Sequence, residues 1–160
     1  RTDALPVKSP KISARAAVRP GASGEAGMYL LDTDTIVYSL KGNPRVRRSF
    51  EEKAAQPKAL SVITYGELFF GAMKSSAPHA NLAKVRRVAE LFPVIEVSRG
   101  IMETFGSLKA DLEKRGRRVD DFDLVIASTA LVLNYTLVTN NERHYRHIPD
   151  LRIENWSRPA

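Results

Sequence analysis

Acidic and amide side chains stand just beyond the apolar runs of this sequence. Asp32 and Asp34 follow Tyr29–Leu31, Glu67 follows Ala59–Ile63, and Asn140, Asn141 and Glu142 follow Thr136–Val138. Asp120, Asp121 and Asp123 crowd the start of the long apolar stretch Phe122–Leu133. Singly, each acid has a structural explanation. Helix N-termini favour carboxylates through the macrodipole, and Thr64-x-x-Glu67 reads as a capping box. Collectively they ask for more, because carboxylates converging on one edge repel one another unless a cation neutralises them. The chain holds no cysteine and only three histidines, which do not cluster. A cation held here would be hard and oxygen-loving, which points to Mg²⁺ or Mn²⁺.

The elements that must position these residues follow from periodicity. Buried strands are expected at Tyr29–Leu31 and Ala59–Ile63, a short strand at Val94–Val97, a further clear strand at Thr136–Val138 and an edge strand at Leu151–Ile153. Helices are expected from Asp34 to Leu40 and from Pro44, a favourable first helical residue, to about Ala55. A helix capped by Thr64 comes next, then one over Pro78–Leu91 and a long one over Ser98–Arg115 capped by Ser98. Phe122–Leu133 is apolar nearly all round, the mark of a central buried helix. Strands separated by helices predict an α/β protein, a three-layer sandwich around a central, mainly parallel sheet. In such sheets ligands gather beyond the carboxyl ends of the strands, where the acids stand.

Composition bounds the alternatives. At 160 residues and 43% apolar, the chain suits one compact domain and excludes wholesale disorder. The absence of cysteine excludes disulfide scaffolds, zinc–thiolate sites, iron–sulfur clusters and a cysteine nucleophile. No apolar run reaches the roughly 20 residues of a membrane span, and no secretory-signal pattern is present, so a cytoplasmic protein without membrane association is expected. Residues 1–27 show no periodicity and hold three of the nine prolines and three of the nine glycines. They read as a disordered leader or non-native extension, with the folded domain over 28–160. That leader supplies +3 of the +7 net charge, so the basic bias of the remainder is mild.

The ordered set LLDTDT (30–35), SVITYGELFFG (61–71), DDFDLVIASTAL (120–131) and LVTNNERHY (137–145), closing on LRIENW (151–156), resembles the PIN-domain family. Within that family it is most similar to the VapC toxins of bacterial and archaeal toxin–antitoxin pairs. The resemblance implies a small Mg²⁺- or Mn²⁺-dependent ribonuclease hydrolysing RNA phosphodiester bonds. Asp32, Glu67 and Asp123 match the family's acids, while the fourth position, often Asp, falls on Asn141. That departure puts a full complement of two tightly held metals in doubt. Glu142 or Asp121 could supply the missing charge, and Asp34 could add a ligand or water contact. In this reading Asp32 and Asp123 hold the metal, which polarises the phosphate and activates water, and Glu67 completes the shell or orients the water. Thr139 is either a hydroxyl that positions this water or a structural strand-end residue. The resemblance further implies a homodimer and a cognate antitoxin that lays a tail across the site.

Basic residues fall in three clusters: Arg45, Arg47 and Arg48; Arg86 and Arg87; and Lys114, Arg115, Arg117 and Arg118. The first two read as solvated helix faces. In the third, Arg115, Arg117 and Arg118 directly precede the acidic loop and are expected to hold the RNA backbone. His144 and His147 are spaced i, i+3, as a metal pair on a helix would be, but Pro149 soon breaks the helix and no third ligand is near, so no functional role is expected of them. Tyr65, Phe69, Phe70 and Met73 recur at helical spacing and suit the core or a subunit interface, and exposed parts of Val37, Tyr38 and Leu40 suit a partner groove. Two other functions compete. Asp32-Thr33-Asp34-Thr35-Ile36 nearly satisfies the D-x-D-x-T/V opening of haloacid-dehalogenase-like phosphatases, with Asp32 as nucleophile. The other is a catalytically weak PIN fold kept for RNA or protein binding.

Overall fold

The computed structural model describes residues 27–159; the expected leader therefore lies outside the described residues, save Gly27. Five strands and seven helices follow in the order β1 (Tyr29–Leu31), α1 (Thr33–Leu40), α2 (Pro44–Glu52), β2 (Lys58–Ser61), α3 (Val62–Lys74), α4 (Pro78–Leu91), β3 (Val94–Ile95), α5 (Arg99–Lys114), α6 (Asp121–Leu133), β4 (Thr136–Val138), α7 (Glu142–Tyr145) and β5 (Ile153–Glu154). Every strand pairing is parallel, in the order β3-β2-β1-β4-β5.

The strand alternation builds two cores, one on each face of the sheet. Leu30, Ala59 and Leu137 point to one face, where they pack with Leu112 of α5, Leu124, Ile126, Ala127 and Ala130 of α6, and Tyr145 of α7. Tyr29, Leu31, Leu60 and Val138 point to the other face and meet Ile36, Val46, Leu68, Ala72, Val85 and Val88 from α1 to α4, closed by Trp156. Helices thus cover both faces, giving the three-layer α/β sandwich that the alternation of elements predicts. The middle of α6 is buried all round, every residue from Leu124 to Ala130 being out of solvent, while Phe122 and Val132 near its ends are exposed. Its Ser128 and Thr129 hydroxyls donate to the carbonyls of Leu124 and Val125, four residues back, so no polar group there is orphaned.

Several boundaries differ from those expected. α2 stops at Glu52, and β3 and β5 shorten to Val94–Ile95 and Ile153–Glu154. The difference that matters is at α3. Ser61, not Thr64, is its N-cap, with Oγ accepting from the Ile63 N–H at 3.1 Å. β2 ends there and the helix begins at Val62, so Thr64 lies fully buried inside the first turn and its hydroxyl has no partner. Glu67 consequently stands in the second turn and is not part of a capping box.

The sheet order also fixes where a ligand site belongs. From β1 the chain moves to β2 and β3 on one side, while β4 and β5 lie on the other. The crevice beyond the carboxyl ends of β1 and β4 is therefore the switch point of the sheet, where α/β folds bind ligands. Reassigning the cap makes a testable difference. In chemical denaturation Ser61→Ala should cost about 1 kcal/mol, whereas Thr64→Val, which removes an unpartnered hydroxyl, should be neutral or stabilising; a capping role for Thr64 would produce the reverse order.

Candidate active site

Asp32 is the first residue beyond β1 and the N-cap of α1, in extended conformation with φ −74° and ψ 159°. Its backbone N–H donates to the Val138 carbonyl at 2.9 Å, tying the ends of β1 and β4 together. Its side chain is 4% exposed. Oδ1 accepts from the Thr33 N–H at 2.8 Å, and Oδ2 accepts from the Thr139 hydroxyl at 2.8 Å and the Tyr145 hydroxyl at 3.2 Å. Burial, and then the neighbouring Asp34 charge, push this carboxyl up to about 7, against the pull of the Thr139 and Thr33 hydrogen bonds.

Three further acids share its cavity. Asp34 accepts from the Asn140 N–H at 3.0 Å, and burial raises its pKa. Glu67, freed of any capping duty, accepts from the Thr33 hydroxyl at 2.8 Å; burial raises its pKa, and the Asp123, Asp120 and Asp34 charges add to the effect. Asp123, in the first turn of α6, receives the Tyr145 hydroxyl on Oδ1 at 3.2 Å and lies 2.8 Å from His144 Nδ1 through Oδ2. Together Asp32, Asp34, Glu67 and Asp123, with Asn141 and Lys41, line a cavity of about 450 Å³.

The remaining candidates sit elsewhere. Asp121 points away to Lys109, at 2.8 Å, and Glu142 pairs with Arg158 at 2.9 Å while accepting from Asn155 at 3.2 Å. Both carboxylates are already compensated by a cation and neither lines the acidic cavity. Thr139 is fully buried with its hydroxyl donating to Asp32 and accepting from the Asn141 N–H at 3.0 Å, so it holds a carboxylate and the following loop. Arg117 and Arg118 line a second cavity of about 420 Å³ beside Asp120 and Asp121, whereas Arg115 folds back onto Asp111 at 2.9 Å. Sequence reasoning missed two residues. Tyr145 and His144 both reach the acids from α7, and only the unusual run His144-Tyr145 just after the Asn140-Asn141 pair signals them.

The donor set fits a hard cation. Among the described residues no Lys or Arg forms an ion pair with Asp32, Asp34, Glu67 or Asp123; the partner within range is His144, on Asp123. A cluster of one buried and three half-buried carboxylates with no Lys or Arg paired to it among the described residues is what an oxygen-seeking ion would neutralise. Among the described residues no three acid or histidine side chains converge as a ready-made ligand cage. Two carboxylates with a shell completed by water is the mode characteristic of Mg²⁺.

The PIN domain sequence model matches residues 29–149. The chain belongs to the PIN-domain family. It is 33% identical over 128 residues to the ribonuclease VapC2 of Haemophilus influenzae, covering 80% of this chain and 97% of the relative. It is 34% identical over 129 residues to the tRNA(fMet)-specific endonuclease VapC of Salmonella typhimurium, covering 80% of this chain and 97% of that protein. Among solved structures it resembles VapBC2 of Rickettsia felis bound to a promoter DNA fragment, with a TM-score of 0.76, 34% identity, and coverage of 81% of this chain and 98% of that one. The DNA-bound VapBC of Salmonella typhimurium is similar at a TM-score of 0.75 and 34% identity, with the same coverage. In this fold Asp32, Glu67 and Asp123 line one cavity.

The proton affinity of Asp32 has a thermodynamic consequence. Its folded pKa of about 7 lies above the unfolded value, so the folded state binds more protons between the two. The metal-free protein should therefore lose stability as pH rises from about 4 to 7, and level off above. Asp32→Asn should flatten that slope and raise the metal-free Tm at pH 7.5. Added Mg²⁺ should raise the Tm of the wild type but not of the variant; equal Mg²⁺ responses would contradict the assignment.

Proposed function

We propose that this PIN-domain protein is a divalent-metal-dependent endoribonuclease that serves as the toxin of a toxin–antitoxin pair. The observation that carries the proposal is the acidic cavity at the β1/β4 switch point, where the buried Asp32 and the half-buried Asp34, Glu67 and Asp123 gather with no Lys or Arg paired to them among the described residues. The names ribonuclease and endonuclease borne by relatives across nearly their whole length support the same reading.

Asp32 and Asp123 would hold the metal, and Asp34 and Asn141, which line the same cavity, would contribute contacts to its water. When bound, Mg²⁺ or Mn²⁺ supplies Lewis-acid stabilisation of the phosphoryl oxygens and lowers the pKa of attacking water. Glu67, fixed by the Thr33 hydroxyl and with its proton affinity raised by burial, suits the role of accepting a proton from that water. Arg117 and Arg118, exposed at the mouth of the loop leading into α6, would steer and hold the strand by its phosphates. Asp32 is enclosed by three hydrogen-bond donors, an arrangement suited to a fixed ligand rather than a free nucleophile, which argues against phosphatase chemistry.

An apolar trough of about 420 Å³, lined by Val37, Leu40, Leu68 and Val85 and rimmed by Lys41 and Lys84, adjoins the acidic cavity through Thr33 and Glu67. It suits an antitoxin segment with apolar anchors and acidic flanks, in keeping with the VapBC complexes that the fold resembles. Phe70 and Met73, exposed at 66% and 54% on α3, suit the homodimer interface. No helix among the described residues is long and apolar enough to cross a membrane, and the proposed setting is the cytoplasm.

The test is cleavage of end-labelled tRNAs and ribosomal RNA fragments with Mg²⁺, with Mn²⁺ and with EDTA. Discrete products should require metal, and Asp32→Asn or Asp123→Asn should lower their rate by more than ~100-fold, beyond the usual effect of outer-shell changes. Metal-independent cleavage, or full activity in either variant, would refute the proposal; RNA binding without cleavage in any lane would favour the catalytically weak binding module. In the Asp32→Asn background, Arg117→Ala with Arg118→Ala should weaken RNA binding and reduce the slope of log K against log salt by ~1.4, two single-strand phosphate contacts. An unchanged slope would remove these arginines from the RNA path.

A further inference from the structure

Tyr145 is fully buried, its ring packed in the core with Leu30, Leu112, Leu124 and Leu137. A buried tyrosine ordinarily finds one partner for its hydroxyl. This one reaches two, Asp32 Oδ2 and Asp123 Oδ1, each at 3.2 Å. The two carboxylates belong to different parts of the fold, the end of β1 and the first turn of α6. Among the described residues the Tyr145 hydroxyl is the only side-chain group hydrogen-bonded to both.

We infer that Tyr145 is a positioning residue of the metal centre: its hydroxyl, standing between the carboxylates of Asp32 and Asp123, fixes their separation before the cation arrives. The inference rests on the proposed role of those two acids as metal ligands. The chemistry of the phenol permits little else. Burial, reinforced by the two carboxylate charges, raises its pKa, so it stays a neutral donor across the working range and serves neither as base nor as nucleophile. One proton shared between two acceptors draws the carboxylates towards a common point, against the repulsion that would otherwise separate them. The other oxygens are held as well, Asp32 Oδ1 by the Thr33 N–H and Asp123 Oδ2 against His144 Nδ1. With Tyr145 in place each carboxylate has less rotational freedom to lose when it binds a metal.

Calorimetric titration of Mn²⁺ into the wild type and into Tyr145→Phe, beside the Tm of each metal-free protein, separates this role from simple packing. Phenylalanine keeps the ring and leaves no buried donor unsatisfied. The expected result is a 10- to 100-fold weaker Mn²⁺ affinity, the range for groups that orient metal ligands, with the variant still folding cooperatively. Equal affinities, with Mn²⁺ bound by the wild type, would overturn the role of Tyr145 and leave the metal site standing. A wild type that binds no Mn²⁺ would overturn the metal-dependent reading and this assignment together. A second measurement leaves position 145 intact. In Tyr38→Phe protein labelled with 3-fluorotyrosine, saturating Mg²⁺ should shift a resonance among the four remaining tyrosines. No shift in any of them would count against the inference.

Discussion

A buried carboxylate at the end of the central strand is the constraint on which this structure depends. Asp32 is 4% exposed, and no lysine or arginine among the described residues pairs with it. Leaving such a group unsupported would be costly. The fold answers with donors from three directions: the first N–H of α1, the Thr139 hydroxyl from just beyond β4, and the Tyr145 hydroxyl from α7. The Asp32 N–H bonds to Val138, and the Thr35 hydroxyl donates to the same carbonyl at 3.0 Å, so the ends of β1 and β4 are locked as one unit. These bonds fix the carboxylate without neutralising it.

That distinction separates the acids of this chain into two kinds. Asp121 and Glu142 meet Lys109 and Arg158, and their charges are compensated within the protein. Asp32, Asp34 and Glu67 instead lie in one cavity, each with its proton affinity raised by burial and by its neighbours' charges. Such clustering lowers the stability of the metal-free fold and raises its attraction for a hard cation. The two effects are one interaction seen from opposite sides, a common trade between stability and function. The paired hydrophobic cores on the two faces of the sheet supply the stability against which the cluster is tolerated.

Much of this was legible in the sequence. Apolar runs separated by amphipathic ones carry the parallel sheet, the rule that ligands bind beyond strand carboxyl ends gathers the acids there, and the family resemblance implies Asp32, Glu67 and Asp123 among them. Pro78 and Ser98 mark their helix starts without rivals. At α3 the sequence points to Thr64, whereas the true start at Ser61 depends on where β2 stops pairing with β1 and β3, which local patterning does not encode. The pairings of Asp121 and Glu142 are likewise tertiary, since Lys109 lies 12 residues away and Arg158 on the far side of β5. Tyr145 was hidden for another reason. A four-residue helix gives no periodicity to read, and nothing local reveals that it turns a phenol beneath the strand ends.

The central proposal is that the acidic cavity binds a divalent cation through Asp32, in competition with the proton that burial and neighbouring charge favour there at low pH. Calorimetric titration of Mn²⁺ at pH 6 and at pH 8, each in two buffers of different ionisation enthalpy, counts the protons released on binding. With the Asp32 carboxyl at about 7, binding should release most of one proton at pH 6 and little at pH 8. The same proton count at both pH values, or no Mn²⁺ binding at either, would contradict the account.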